Sequence, residues 1–273
     1  MRVPVLTYHS NNVAGNAYTG NDHVAFAADL RLIDDLGLQV VPLQRVIDRL
    51  LGRHGDDLAG CVALTCDDGT DLDWLDLDFP GAGLQRSLVN CLRDFRDERG
   101  AEAQRDLHLT SFLIADPQAR ARMDRECLFD KGWMREDWWR PALESGLMAL
   151  ENHSWDHNHP CLPTPGPHNL QRGDFHSVAN EAQAEFEIAQ AQEYLTARLG
   201  RRPRVFCYPF GHISPFLHDD WLPRRGPQIG LDAAVGDGAS AVTEASDRWN
   251  LPRYICGWHW KAQEELRRIL ASE

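Results

Sequence analysis

Short apolar runs alternate with amphipathic segments along the whole chain, and this alternation limits its fold more than any other feature. Strands of a parallel sheet are buried on both faces, so they read as continuous apolar runs, and each needs a crossover to reach its neighbour. The run Cys61-Val62-Ala63-Leu64-Thr65-Cys66 has that character and stops at Asp67-Asp68-Gly69. Similar runs end at Leu6 or span 38–41, 109–115, 147–150 and 204–208, with a last short one at 253–256. Between them, Phe26, Leu30 and Ile33 share one helical face ahead of Gly37, and Val46, Ile47, Leu50 and Leu51 mark a second helix. Leu84, Leu88, Leu92 and Phe95 predict a third helix closed by Gly100, and further helices are expected over 134–145, 180–199 and 261–270. The pattern is that of β-α-β units, not of a sandwich or a helical bundle. From 211 to 249 Gly, Pro and Asp are frequent, and the pattern weakens.

At 273 residues the chain is long enough for a sizeable core, and with no repeat or linker visible, 1–273 is expected to be a single domain. Its 28 Lys and Arg against 41 Asp and Glu give a net charge of −13. That balance argues against non-specific binding to nucleic acid or to an anionic membrane surface and disfavours a polyanionic substrate. No run is long enough to span a membrane, and no secretory signal is visible at Met1-Arg2-Val3-Pro4. A cytoplasmic location is therefore expected, or a periplasmic or secreted one had an export segment been removed. The seven cysteines form an odd set without a CxxC pair and read as mostly buried thiols in a reducing compartment. The acidic segment 71–81 lacks the glycine and terminal glutamate of a calcium-binding hand and reads as a solvated or substrate-facing loop. Residues 160–173, with four prolines and two glycines, read as a long loop.

Four clusters follow predicted strands directly: Tyr8-His9, Asp67-Asp68, His153 to His159, and Pro209 to His212. In α/β barrels and open α/β sheets the ligand site lies at the carboxyl ends of the strands, so these clusters are expected to converge. Side chains alternate along a strand, so two adjacent aspartates can play two roles, one binding a cation and the other taking a proton. A helix cap or an Asp-Gly turn is the other reading of Asp67-Asp68-Gly69. His153 and His157, four residues apart, would share one face of a helical turn and suit a divalent cation, with His159 in a competing register. Two imidazoles and one aspartate leave coordination positions open for water, the arrangement of a hydrolytic site, and a free carboxylate beside it would act as base. His9 either faces this pocket or donates a hydrogen bond from behind it. Nine tryptophans include Trp74, Trp133, Trp138, Trp139, Trp155, Trp258 and Trp260 near expected loops and helix ends, most of them expected to pack and about two to offer an aromatic platform to a ligand.

These residues carry a resemblance to the polysaccharide deacetylases with NodB homology, also called carbohydrate esterase family four. Thr65-Cys66-Asp67-Asp68-Gly69 resembles the first motif, normally T-F-D-D-G, and His153-Ser154-Trp155-Asp156-His157 the second, H-[S/T]-x-x-H. Thr110-Ser111-Phe112-Leu113 is similar to a T-F-F strand, and Phe206-Cys207-Tyr208-Pro209-Phe210-Gly211 to the third motif. Val5-Leu6-Thr7-Tyr8-His9 and Leu251-Pro252-Arg253 are similar to elements of the branch acting on poly-N-acetylglucosamine.

The resemblance implies a distorted (β/α) barrel of about seven parallel strands. It implies Asp67 as general base, Asp68, His153 and His157 as ligands of zinc or another divalent first-row metal, and Tyr208, Phe210 and His9 around the substrate and its oxyanion. Three positions depart from the pattern. Cys66 replaces phenylalanine, Asn158 replaces a proline, and Cys207 stands where an arginine normally orients the base. Arg253 is the candidate to supply that charge, its other reading being an ion pair of structural purpose. His259 is the candidate general acid, with His212 the other histidine in reach. The function implied is metal-dependent removal of N-acetyl groups from an amino-sugar-containing glycan or glycan precursor, with an N-acetylated sugar or oligosaccharide as partner. The alternatives are a cyclic amide or ureide hydrolase of the same superfamily and a carbohydrate-binding relative without turnover.

Overall fold

In the computed structural model, which describes residues 1–271, the apolar runs become the strands of one curled sheet. These are β1 (Val5–Tyr8), β2 (Gln39–Val40), β3 (Cys61–Cys66), β4 (Leu109–Leu113), β5 (Met148–Asn152), β6 (Val205–Cys207), β7 (Ala233–Val235) and β8 (Tyr254–Ile255). Among the described residues seven strands follow the order β7-β6-β5-β4-β3-β1-β8, and β2 pairs with the start of β3. Every pairing in this sheet is parallel, with Val5 beside Ala63, Thr65 beside Thr110, Leu109 beside Met148, Asn152 beside Phe206 and Val205 beside Ala233. The sheet curls until one segment touches both its ends. Leu251 bridges to Val235 of β7, and three residues later Tyr254 and Ile255 pair with Leu6 and Thr7 of β1. Residues 251–255 are thus the seam of an incomplete barrel.

The two-residue periodicity of the strands sorts their side chains between two apolar clusters. Val5, Ala63, Phe112, Val205, Cys207, Val235 and Leu251 pack together inside the curl, and Leu43, Val46 and Ile47 of the helix Leu43–Leu50 join them. Leu6, Tyr8, Leu64 and Cys66 point the other way, onto the helices Asp22–Asp35 and Leu88–Arg99. Helix starts are set by their caps. Asn21 accepts from the backbone N–H of His23 and Val24, Ser87 from Asn90, and Asp116 from Gln118 with Pro117 next in line. No helix of the described residues is long and apolar enough to cross a membrane.

The acidic segment departs from expectation. Asp71, Leu72 and Asp73 are buried, and Leu77–Phe79 forms a hairpin with Gly83–Gln85, which takes Leu84 out of the expected helix and leaves its side chain exposed. The segment folds inward because each buried carboxylate has donors. Arg135 donates to Asp71 through both its backbone N–H and its Nε, at 2.8 Å each. Ser10 and Ser111 donate to Asp73 at 2.5 and 2.7 Å. Residues 134–137 are not helical, with Arg135 engaged by Asp71, and the helix expected from 134 begins only at Trp139. Strand β7 was hidden in the Gly- and Pro-rich stretch because it is three small residues long.

Candidate active site

Strand β3 ends in a turn that the Asp-Asp-Gly sequence is suited to make. Asp68 has φ +76°, and Gly69 follows at φ +64°. A Cβ on Gly69 would lie 2.5 Å from Leu113 Cδ2 and 3.1 Å from its Cα, so the chain passes β4 too closely for any other residue. The turn sends the two carboxylates in different directions. Asp67 points inward to Arg253, and Asp68 points to the histidines beyond β5.

Those histidines do not sit on a helical turn. Ser154, His157 and Asn158 all have positive φ, at +71°, +60° and +45°, and the loop is held open by its own polar side chains. Ser154 N–H donates to Asn152 Oδ1, His157 N–H to Ser154 Oγ and Asn158 N–H to Asp156 Oδ1. Asp156 is in turn paired with Arg172. Positive φ away from glycine carries a cost of about 1–3 kcal/mol and survives only where the surroundings fix it. Proline, locked near −65°, cannot occupy position 158 of this loop. The four-residue spacing thus brings His153 and His157 together through a looped backbone, with ring centroids 4.7 Å apart.

Nε2 of His153 and of His157 lie 3.8 and 3.7 Å from the same Asp68 oxygen, Oδ1. That is too far for a hydrogen bond and close to the edge of a coordination polyhedron whose ligands stand about 2.0–2.2 Å from a common ion. His153 Nδ1 bonds the Cys207 carbonyl at 3.0 Å, which directs its Nε2 to that point. Burial lowers the pKa of both imidazoles, most strongly for His157 with His153 and His159 beside it. A neutral imidazole is the form that ligates, so Asp68, His153 and His157 fit a first-row divalent cation.

Asp67 and Arg253 are buried, at 5% and 1% exposure, and face each other through two hydrogen bonds, Nη1 to Oδ1 at 2.8 Å and Nη2 to Oδ2 at 2.9 Å. Arg253 is held by Nε donating to the Gly236 carbonyl and by its place over the Phe112 ring. Its Nη2 also reaches Cys207 Sγ at 3.1 Å, so the guanidinium from the seam stands beside the cysteine that replaces the expected arginine. Burial alone would raise Asp67, but the charge and hydrogen bonds of Arg253, helped by His153 and His9, hold its carboxyl well below the usual range. His9 Nε2 is 4.0 Å from Asp67 Oδ2.

These groups line a cavity of about 360 Å³ whose wall also includes Asn11, Phe210, Asp237 and Trp258. A larger surface hollow of about 770 Å³, beside Ala28 and Leu84, lies away from the strand ends. Phe210 is partly exposed, with its ring 4.4 Å from His157 in edge contact. Tyr208 belongs to another environment. It is buried against Phe206, and its hydroxyl donates to the Trp249 carbonyl, so its side chain is turned from the cavity to which it was expected to contribute. His259 also falls outside the cavity wall, because its Nδ1 accepts from Ile255 N–H at 2.8 Å within the turn after β8. His212 is drawn to Asp174 and stacks on His176.

Three contributors escaped sequence reasoning. Asn11 donates to Asp68 Oδ2 at 3.1 Å. Asp73 lies under the site between Ser10 and Ser111, its pKa raised by burial to about 7. Asp237 follows the strand that was missed, and a Cβ on Gly211 would stand 2.5 Å from its carboxylate. The Gly211 position was the available signal, since a glycine after a strand often marks close approach.

Residues 100–219 match the family model described as polysaccharide deacetylase, a stretch that includes His153 and His157 but not Asp67, Asp68 or Arg253. No curated protein matches the chain significantly. Among solved structures, the Streptococcus pyogenes deacetylase PplD in complex with acetate aligns over 100% of this chain and 99% of its own, at 15% identity and a TM-score of 0.66. IcaB from Ammonifex degensii aligns over 99% and 96% at 20% identity and a TM-score of 0.64. A de-N-acetylase from Aggregatibacter actinomycetemcomitans aligns over 98% and 100% at 14% identity and a TM-score of 0.64. At these identities the likeness is one of fold, and it spans the chain. The chain thus has the fold of these deacetylases throughout, and over residues 100–219 it matches the sequence model described as polysaccharide deacetylase.

Proposed function

We propose that the chain is a metal-dependent hydrolase that removes N-acetyl groups from an amino-sugar-containing glycan or glycan precursor. The observation that carries this reading is one cavity holding an arginine-fixed carboxylate, Asp67, beside a separate donor set of Asp68, His153 and His157. A zinc-type cation held by those three residues supplies Lewis acidity toward the acetamide carbonyl. Asp67, kept ionised by Arg253, takes the proton of the attacking water. Arg253 fixes the carboxylate plane so that a lone pair stays directed at the cavity. His9, partly exposed beside Asp67, is the imidazole placed to protonate the leaving amine, in preference to His259, whose ring lies outside the cavity wall. Phe210 and Trp258 offer apolar faces to a sugar ring.

The missing motif arginine favoured both the ureide-hydrolase and the binding-protein alternatives, and the unassigned general acid favoured the second. The guanidinium of Arg253 on Asp67 weighs against the first motive, and the proposal gives the acid role to His9. The test is acetate release from N-acetylglucosamine oligomers by the metal-loaded protein. Asp67→Asn and His9→Ala are expected to lower turnover about 10²- to 10⁴-fold, and His259→Ala to leave it nearly unchanged. Tight oligomer binding without acetate release, or hydrolysis of a ureide alone, contradicts the reading.

A further inference from the structure

We propose that Cys127, His159 and Cys161 form a second metal site, suited to a soft divalent cation of the zinc type, on the rim of the catalytic cavity. Cys127 is the last residue of the helix Pro117–Cys127, and His159 and Cys161 lie on the loop that leaves His157. The two thiol sulfurs and an imidazole nitrogen lie within 4.8 Å of one another. Ligands that share a tetrahedral ion at about 2.0–2.3 Å stand roughly 3.3–3.8 Å apart, so closure needs side-chain movement of about an ångström.

The backbone brings these donors together. Positive φ at His157 and Asn158 turns the chain so that His157 serves Asp68 while His159, its ring 5.9 Å away, stands with the two cysteines. His159 Nδ1 accepts from Cys161 N–H at 3.2 Å, a contact that holds the ring beside Cys161 and that ligation must break, because an imidazole accepting at Nδ1 carries its proton on Nε2. Cys161 is anchored against the apolar group of Ile114, Met123, Leu128 and Met134, while Cys127 stays exposed at the carbonyl end of its helix, where positive charge is favoured.

Two sulfurs and an imidazole select a soft cation over magnesium or calcium, whereas Asp68, His153 and His157 are the harder set. On binding, each thiol gives its proton to solvent and the thiolate ligates. Three protein donors leave one coordination position for water or a substrate group. Cys127 and His159 line the catalytic cavity, so that position lies at its rim. Both thiols are free, and a disulfide between them would consume the site. The two sets share no ligand, and this assignment stands without the catalytic one.

The experiment loads the full chain with cobalt under reducing conditions and reads thiolate-to-metal charge transfer in the near ultraviolet, together with metal content. The wild type is expected to bind about two ions per chain and show the charge-transfer band. His153→Ala is expected to keep the band while losing about one ion, and Cys127→Ser and Cys161→Ser to lose the band and about one ion. Cys127 is exposed, so its substitution leaves the core intact, and circular dichroism checks each variant. Absence of the band in the cobalt-loaded wild type, or its survival in both serine variants, overturns the site. A band without acetate release would leave this site standing and count against the catalytic reading alone.

Discussion

Replacing Arg253 with methionine tests the central pairing of the site. The guanidinium is buried and makes two hydrogen bonds to a buried carboxylate, so its removal leaves Asp67 with its desolvation uncompensated. Breaking a buried ion pair from one side costs about 3–5 kcal/mol. Asp67 can escape part of this by taking a proton. At pH 7 that route costs about 1.4 kcal/mol for each of the three pH units separating neutrality from an ordinary aspartate pKa, which caps this electrostatic loss at about 4 kcal/mol. Urea denaturation at pH 7, with a chelator present so that bound cation adds nothing, is therefore expected to show a loss of about 3–4 kcal/mol. Asp67→Asn is expected to lose a comparable amount, because it leaves the buried guanidinium without a counter-charge and its amide accepts at only one of the two positions. The double variant should lose less than the two single losses combined, by at least about 2 kcal/mol. Turnover should fall by similar factors in all three, since one pair is disabled in each. Strictly additive stability losses, or Arg253→Met losing under about 1 kcal/mol, would show that the pair is not the buried unit described.

Asp73 provides a pH test. Its folded pKa of about 7 lies above the unfolded value of 3.8, so the native state binds the extra proton between these values, and stability falls as pH rises through that window. Asp73→Asn should remove up to roughly 4 kcal/mol of this decline between pH 4 and 8, and an unchanged slope in denaturation midpoints would contradict it. Gly69→Ala, forcing a Cβ to within 2.5 Å of Leu113 at φ +64°, should cost about 1–3 kcal/mol in thermal or urea unfolding. Trp258→Ala removes a side chain that is 79% exposed on the cavity rim, so stability should change by less than about 0.5 kcal/mol while KM for an oligosaccharide rises several-fold. A KM equal to that of the wild type would remove Trp258 from substrate contact.

What the sequence disclosed follows from how locally each feature is encoded. Strand β3 was legible because a parallel strand buried on both faces must be apolar throughout, and Asp67-Asp68-Gly69 marks its end in the chain itself. The association of His153 with His157 was legible from spacing, but the helical reason for it was not the real one. The loop instead depends on Asn152, Ser154 and Asp156 accepting backbone N–H groups, a tertiary outcome that residue periodicity does not carry. The burial of Asp71 and Asp73 was hidden for the same reason, since their donors Arg135, Ser10 and Ser111 are as many as 64 residues away. Tyr208 was assigned by its place in a motif. Its direction is set by strand alternation and by the Trp249 carbonyl, which lies on a segment with no strand signal.

The seam at residues 251–255 ties the completion of folding to the onset of chemistry. Leu251 and Tyr254 join the two ends of the curled sheet, and Arg253, between them, is the residue that fixes Asp67. A chain whose carboxyl-terminal part has not yet docked holds both aspartates and both site histidines but cannot orient its base. On the proposed function, nascent or partly opened molecules would be hydrolytically silent, and turnover would begin only in the molecule whose ends have met.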